Sequence, residues 1–205
     1  TLYALNNLDS STPSVLWQDD GISGDSIIAP AIQSESGDTV YIGTADNKVI
    51  AIAGEDGAVL WEFPVGHSVW GQPTLAGDTL LITSLDKSVY ALNAGSGEQQ
   101  WQTTLGGALP SKPVVDGDLV YVSSFDGSLH ALDLQTGEEA WFVEATDWIW
   151  GAPTVADGVV YFGDISGGIF AGDAASGDPL WQASADGAIQ SSPLVYEGIV
   201  YIGSE

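Results

Sequence analysis

The chain has no cysteine, no methionine and no arginine. Without thiols it can form no disulfide, no zinc–thiolate centre and no cysteine nucleophile. This is compatible with an oxidising compartment. Its only full-time cations are Lys48, Lys87 and Lys112, set against 28 acidic residues, for a net charge of −25. A duplex-binding surface uses about 6–10 cationic phosphate contacts, so nucleic acid is excluded as a partner. Attraction to anionic lipid headgroups fails for the same reason. No apolar run is long enough to span a bilayer, which takes about 18 residues or more. No segment of useful length carries the 3.6-residue period of a helix. The opening Thr1-Leu2-Tyr3-Ala4-Leu5 reads as the start of a strand rather than a leader, as expected of a mature or cut chain.

What is present points to a packed core. Hydrophobic residues make up 44% of the chain, too many for a disordered acidic tail. The acidic excess fits two settings. One is a salty medium, marine or halophilic, where screening relieves self-repulsion. The other is an ordinary acidic secreted protein.

The strongest signal is internal repetition. Trp61, Trp101, Trp141 and Trp181 stand 40 residues apart, with Trp17 44 residues before the first. Tyr41, Leu81, Tyr121, Tyr161 and Tyr201 keep the same spacing, as do Pro73, Pro113, Pro153 and Pro193. Each period reads as four short strands. In the clearest copy these cover 152–156, 159–163, 169–173 and 179–183, separated by Asp157-Gly158, Ser166-Gly-Gly168 and Ser176-Gly177. Evenly spaced short strands with one aromatic and glycine signature per unit predict an all-β fold, a β-propeller of five four-stranded blades, as one domain over 1–205. A solenoid fits the strand density less well.

The segments Ala91…Ser96-Gly97…Trp101, Ala131…Thr136-Gly137…Trp141 and Ala171…Ser176-Gly177…Trp181 share one spacing, and Ala51…Asp56-Gly57…Trp61 follows it with Asp in the Ser/Thr place. They resemble the tryptophan-docking motif of the pyrroloquinoline-quinone-type propeller repeat. The first copy, Ala4 to Trp17, is three residues too long and lacks the glycine. The resemblance covers the whole chain. It implies that Trp17, Trp61, Trp101, Trp141 and Trp181 are structural, each docking between neighbouring blades. A flat apolar ring with one N–H suits that role. The chain begins on a third strand and ends on a second. Pairing of Leu2–Asn6 with Ile199–Gly203 would therefore complete a fifth blade and close the ring. The other reading is a five-repeat piece of a seven- or eight-bladed ring.

In a propeller, loops after the second and fourth strands share one face. There Trp70 and Trp150 occupy one repeat position, filled elsewhere by Pro110, Gln190 and Ile27. Lys112 shares another with Ala29, Gln72, Ala152 and Ser192. Positions that vary amid constant neighbours are not dictated by blade packing. With His67, they form a candidate ligand site: Trp70, Trp150, Lys112, Gln72, Gln190 and His67. Aromatic groups at a channel mouth suit a protein, peptide, glycan or other small ligand. Alternatively the two tryptophans plug the channel. Trp148, Lys48 and Lys87 fall on the same face.

No catalytic constellation emerges. His67 and His130 have no metal-ligand spacing. His130 stands in the position of Tyr3, Tyr90 and Phe170 and reads as a packed ring. Asp19-Asp20-Gly21 with Asp25 fits no calcium-loop pattern. The resemblance would imply a quinone-dependent dehydrogenase only with a larger ring, an adjacent cysteine pair and a calcium-binding acidic cluster. The reading is therefore a non-catalytic extracytoplasmic binding or scaffold module without metal or cofactor, monomeric as a domain, similar to the propeller lipoprotein of outer-membrane assembly. The quinoprotein dehydrogenase is the alternative.

Overall fold

The computed structural model describes residues 1–6, 14–22, 24 and 26–205. All twenty elements among the described residues are β-strands. Strands β1 (Leu2–Asn6) and β2 (Ser14–Asp19) form a two-stranded half-blade. Blade I holds β3 (Ile32–Gln33), β4 (Thr39–Gly43), β5 (Lys48–Ala53) and β6 (Val59–Pro64). Blade II holds β7 (Thr74–Ala76), β8 (Thr79–Thr83), β9 (Ser88–Asn93) and β10 (Gln99–Thr104). Blade III holds β11 (Val114–Asp116), β12 (Leu119–Ser123), β13 (Ser128–Asp133) and β14 (Glu139–Glu144). Blade IV holds β15 (Thr154–Ala156), β16 (Val159–Gly163), β17 (Gly168–Asp173) and β18 (Pro179–Ser184). A final half-blade pairs β19 (Leu194–Tyr196) with β20 (Ile199–Tyr201). All pairings are antiparallel between chain neighbours, and the first strands of successive blades touch each other around an axis. This is a β-propeller arrangement.

Burial explains the strand composition. A middle strand has a blade on either side, so both faces must be apolar: β9 is buried at every position but Asn93. The outer strand alternates, as in Gln99–Thr104, where Trp101 alone is buried. The turns follow local chemistry. Asp157 and Gly158 both take positive φ, 51° and 77°, as a tight two-residue hairpin demands. Between third and fourth strands, the Asp133 carboxylate accepts from the Gln135 and Thr136 amides and the Thr136 hydroxyl. Those bonds hold its carboxyl below the usual range, the Thr136 amide contributing most. Asn93–Ser96 and Asp173–Ser176 repeat the device.

The blades dock through the tryptophans. The Trp17, Trp61 and Trp101 indoles each donate at 3.0 Å to a carbonyl of the next blade: Gly54, Ala94 and Leu134. Each ring lies against the glycine of the next turn: Gly57, Gly97 and Gly137. Trp141 lies on Gly177 likewise, but its N–H has no acceptor among the described residues. Trp181 is 43% exposed, with only the two-stranded half-blade beyond it. Carboxylates of the turns between second and third strands also staple neighbours, from either of two positions: Asp86 accepts from Gly66 of the preceding loop and from Ser88 in its own turn. Asp164 does the same with Thr146 and Gly168.

One expectation is corrected. β1 pairs only with β2, and β20 only with β19, so the closing pair between Leu2–Asn6 and Ile199–Gly203 is not formed. Tyr3, Leu5, Ile199 and Tyr201 are exposed. The angle between blades is set locally, joint by joint, by the tryptophan–glycine contact. Nothing in that contact selects a five-blade closure. The irregular link between Ala4 and Trp17 runs through 7–13, outside the described residues.

Tyr121 donates to the Ala174 carbonyl across the joint at 2.9 Å. Burial, aided by Asp116 and Asp173, raises its pKa to about 12. Tyr41 and Tyr90 are also raised, burial being the main cause. A phenol protonated more firmly when folded stabilises the fold fully below the unfolded pKa of about 10. That contribution is lost as pH rises through the folded value. Urea midpoints should therefore fall between about pH 10 and 12, less steeply in Tyr121→Phe. A flat profile there would contradict it.

Ion pairs are few for so charged a chain. Among the described residues, Lys48–Glu62 at 3.1 Å is the one lysine bridge. The remaining carboxylates repel one another, and the melting temperature should rise with NaCl well beyond the ionic strength at which screening reaches about 8 Å. A constant melting temperature up to about 1 M would refute this.

Candidate binding face

The loops entering β7, β11 and β15 converge where the first strands meet. Their backbones approach closely: a Cβ on Gly71 would sit 2.5 Å from the Ser111 carbonyl, and one on Gly151 equally near Ser191. Thr83 and Ser123 hydroxyls bind the Ser111 and Gly151 carbonyls and hold the loops in place. The side chains that follow are thereby pushed to the mouth.

There the structure brings together Trp70, Gln72, Lys112, Trp150 and Gln190 around an open pocket of about 410 Å³. The Trp70 and Trp150 rings lie 6.5 Å apart although they arise from loops two blades apart. Both stay more than a third exposed, so they do not fill the mouth as a buried plug. Gln72 is partly committed, its amide donating to the Ala31 carbonyl at 2.9 Å. No carboxylate lines the pocket, and Lys112 has no ion pair among the described residues. The Ser111 hydroxyl is buried there without a partner among the described residues.

His67 is not part of this pocket. It is exposed, its Nδ1 accepts from the Ser68 amide, and its carbonyl accepts from Ser84, so it serves the loop. Lys48 is taken by Glu62. Phe125 was missed from sequence. It stacks on Trp148 at 5.1 Å and meets Trp150 at 5.0 Å, making a continuous row Trp70–Trp150–Phe125–Trp148. Its position holds Ala45, Leu85 and Ile165 elsewhere, so only its size marked it.

His130 proves more than a packed ring. It is buried, with Nδ1 at 2.6 Å from Glu139 and Nε2 at 3.2 Å from Asp126. Tyr90 reaches Asp86 from the same repeat position. The His130 bonds lie within blade III, and none of His130, Asp126 and Glu139 lines the mouth pocket. No group of three or more potential metal ligands occurs among the described residues. Asp19 accepts from Gly21 and Ile22 in a turn, and Asp25 lies outside the described residues. A quinone fits poorly: the mouth has no cysteine pair to face it and no carboxylate to hold its calcium. No described helix is long and apolar enough to cross a membrane.

The sequence pattern of the family described as outer membrane protein assembly factor BamB matches residues 3–144 and 126–205. No curated protein matches. Among solved structures, BamB from Moraxella catarrhalis is similar at 25% identity and a TM-score of 0.79, over 91% of this chain and 57% of that one. This chain thus spans a little over half the length of that relative.

Proposed function

From the premise that the chain belongs to the family of the outer membrane protein assembly factor BamB, we propose that it is a non-catalytic, extracytoplasmic scaffold that captures a protein partner at the mouth face. The observation that carries this reading is the row of four aromatic rings beside an unpaired Lys112 and a partnerless Ser111 hydroxyl. Tryptophan brings wide contact area at low entropy cost and anchors interfaces. Lys112 is an isolated cation on a body of charge −25. Locally it attracts a carboxylate, while the surrounding field turns away other anions, so it sets register more than affinity. Ser111 supplies a donor for a group that arrives with the partner, offsetting the cost of its buried state.

The test is the triple variant Trp70→Ala, Trp150→Ala and Lys112→Ala, with the melting temperature checked first. Binding to proteins pulled from the native periplasm or surface, and to peptide and glycan panels, is then compared with the parent chain. A loss of about tenfold or more per tryptophan is expected. Unchanged binding by a folded triple variant would remove the site from this face. Selective loss of glycan rather than protein binding would replace the partner class.

A further inference from the structure

The joint between blades III and IV lacks two side chains that fill the joint between I and II. Ile52, Leu92 and Leu132 share one position on the third strand, each completely buried against the preceding blade, and blade IV has Gly172 there. Two residues past the docking tryptophan, blade I sends Phe63 across to meet Tyr90 edge-on at 5.7 Å, whereas blade III has Val143. The isobutyl group of Leu92 and the phenyl ring of Phe63 thus have no counterpart at III/IV. A pocket of about 490 Å³ opens in that joint. Small-molecule sites usually measure about 300–1,000 Å³.

Strand register assigns the walls. Residues directly opposite in an antiparallel pair lie on one face of the sheet. Val160 stands opposite Gly172, Phe162 opposite Phe170, and Phe170 opposite Gln182, so these five share the face of blade IV turned to blade III. From blade III, Val143 comes forward with Trp141 against Gly177. Phe142 and Glu144 alternate onto the other face of β14, opposite His130 and Ser128. No charged side chain therefore enters the slot, and Gln182 is its one polar side chain. Phe162 and Phe170 stack 4.9 Å apart and 10° from parallel, as a flat apolar wall. A Cβ on Gly172 would lie 3.3 Å from the Asp178 carbonyl oxygen and 3.4 Å from that of Gly177, so the backbone itself keeps a larger residue out and the slot open. The docking ring is also less tied. The Ala94 carbonyl accepts from both Tyr41 and Trp61, while its counterpart at Ala174 accepts from Tyr121 and, among the described residues, leaves the Trp141 N–H without a partner.

We propose that this joint binds a small neutral aromatic hydrocarbon, one benzene ring carrying a short alkyl group. The two side chains absent here, a phenyl ring and an isobutyl group, define that shape. The Phe162–Phe170 wall takes the ring by offset or edge-on stacking. Engineered cavities walled by Leu, Ile and Phe take up benzene for the same reason: they are apolar and hold no water. Charge is selected against. An ammonium or carboxylate carried between these walls sheds its hydration and meets no counter-charge. The site is separate from the mouth pocket, whose lining shares none of these residues.

The experiment follows ethylbenzene, benzylamine and benzoate by calorimetry and ligand-observed NMR on the full chain. Ethylbenzene should bind at submillimolar concentration. The two analogues, whose charge sits beside the ring, should bind about tenfold more weakly or worse. Val143→Phe, which brings in the ring of blade I, should abolish ethylbenzene binding and keep or raise the melting temperature. Phe142→Ala, on the other face of the same strand, and Trp150→Ala, at the mouth, should bind it as the parent does. Failure of the parent to bind millimolar ethylbenzene, equal binding of either charged analogue, undiminished binding by Val143→Phe, or loss of binding by a folded Phe142→Ala or Trp150→Ala would each overturn the proposal. Should Val143→Phe fail to fold, NOEs from bound ethylbenzene to the Phe162 and Phe170 rings in the parent decide. Their presence supports the site and their absence overturns it.

Discussion

Trp101→Ala should lower the unfolding free energy by about 3–5 kcal/mol, the usual cost of truncating a buried aromatic core residue. Trp101 is only 8% exposed, packs in a cluster with Leu81, Leu109, Val122 and Leu132, and donates to the Leu134 carbonyl. Its removal leaves a cavity between two blades and an unmet backbone acceptor together. The control is Trp181→Ala. That ring holds the same place in its repeat but is 43% exposed, so its loss should cost under about 1 kcal/mol. Denaturant unfolding of both variants separates the two cases. Equal effects would mean that position in the repeat, and not burial, governs the cost.

Gly137→Val should be comparably damaging, for a different reason. Gly137 has φ of +72°, a conformation that a β-branched residue enters only under strain of about 1–3 kcal/mol. A Cβ there would also come within 2.4 Å of the Trp101 ring. Displacing that ring adds an overpacking cost of about 1–3 kcal/mol. The double variant Trp101→Ala with Gly137→Val should therefore be less damaged than the sum of the singles, since the small residue vacates the space the large one invades. Strict additivity in a double-mutant cycle would show that ring and turn are not in contact.

The strands were legible because blade packing is repetitive. The same apolar run, buried on both faces, recurs at one spacing, and the Asp-Gly hairpins and Ser/Thr-Gly turns punctuate it. Boundaries differed by a residue or two: the expected first strand at 152–156 is β15, Thr154–Ala156, because the close loop approach around Gly151 holds the preceding residues out of the ladder. Ring closure was not legible, since complementary half-blades say nothing about the angle at which successive sheets meet. At the mouth, Trp70, Trp150, Lys112, Gln72 and Gln190 could be grouped because they break a regular pattern. His67 was wrongly grouped with them. It breaks the pattern too, but its ring nitrogen is turned back onto its own loop. Phe125 escaped because its position is apolar and half-buried in every blade, so only the size of its ring distinguishes it. Gly172 was read only as part of a strand. Leu92 and Leu132 fill its position in blades II and III, whereas a side chain at 172 would crowd the Asp178 and Gly177 carbonyls.

The contact between Trp70 and Trp150 has a mechanical consequence. The two rings are carried into blades II and IV, so the 6.5 Å between them accumulates whatever happens at the II/III and III/IV joints. A change of angle at either joint shifts one ring relative to the other. The mouth thus works as a gauge of blade angle. On the proposed function, a molecule that wedges or tightens a joint would alter the gap offered to the partner. By thermodynamic reciprocity, a partner that clamps the rings together stiffens the joints in return.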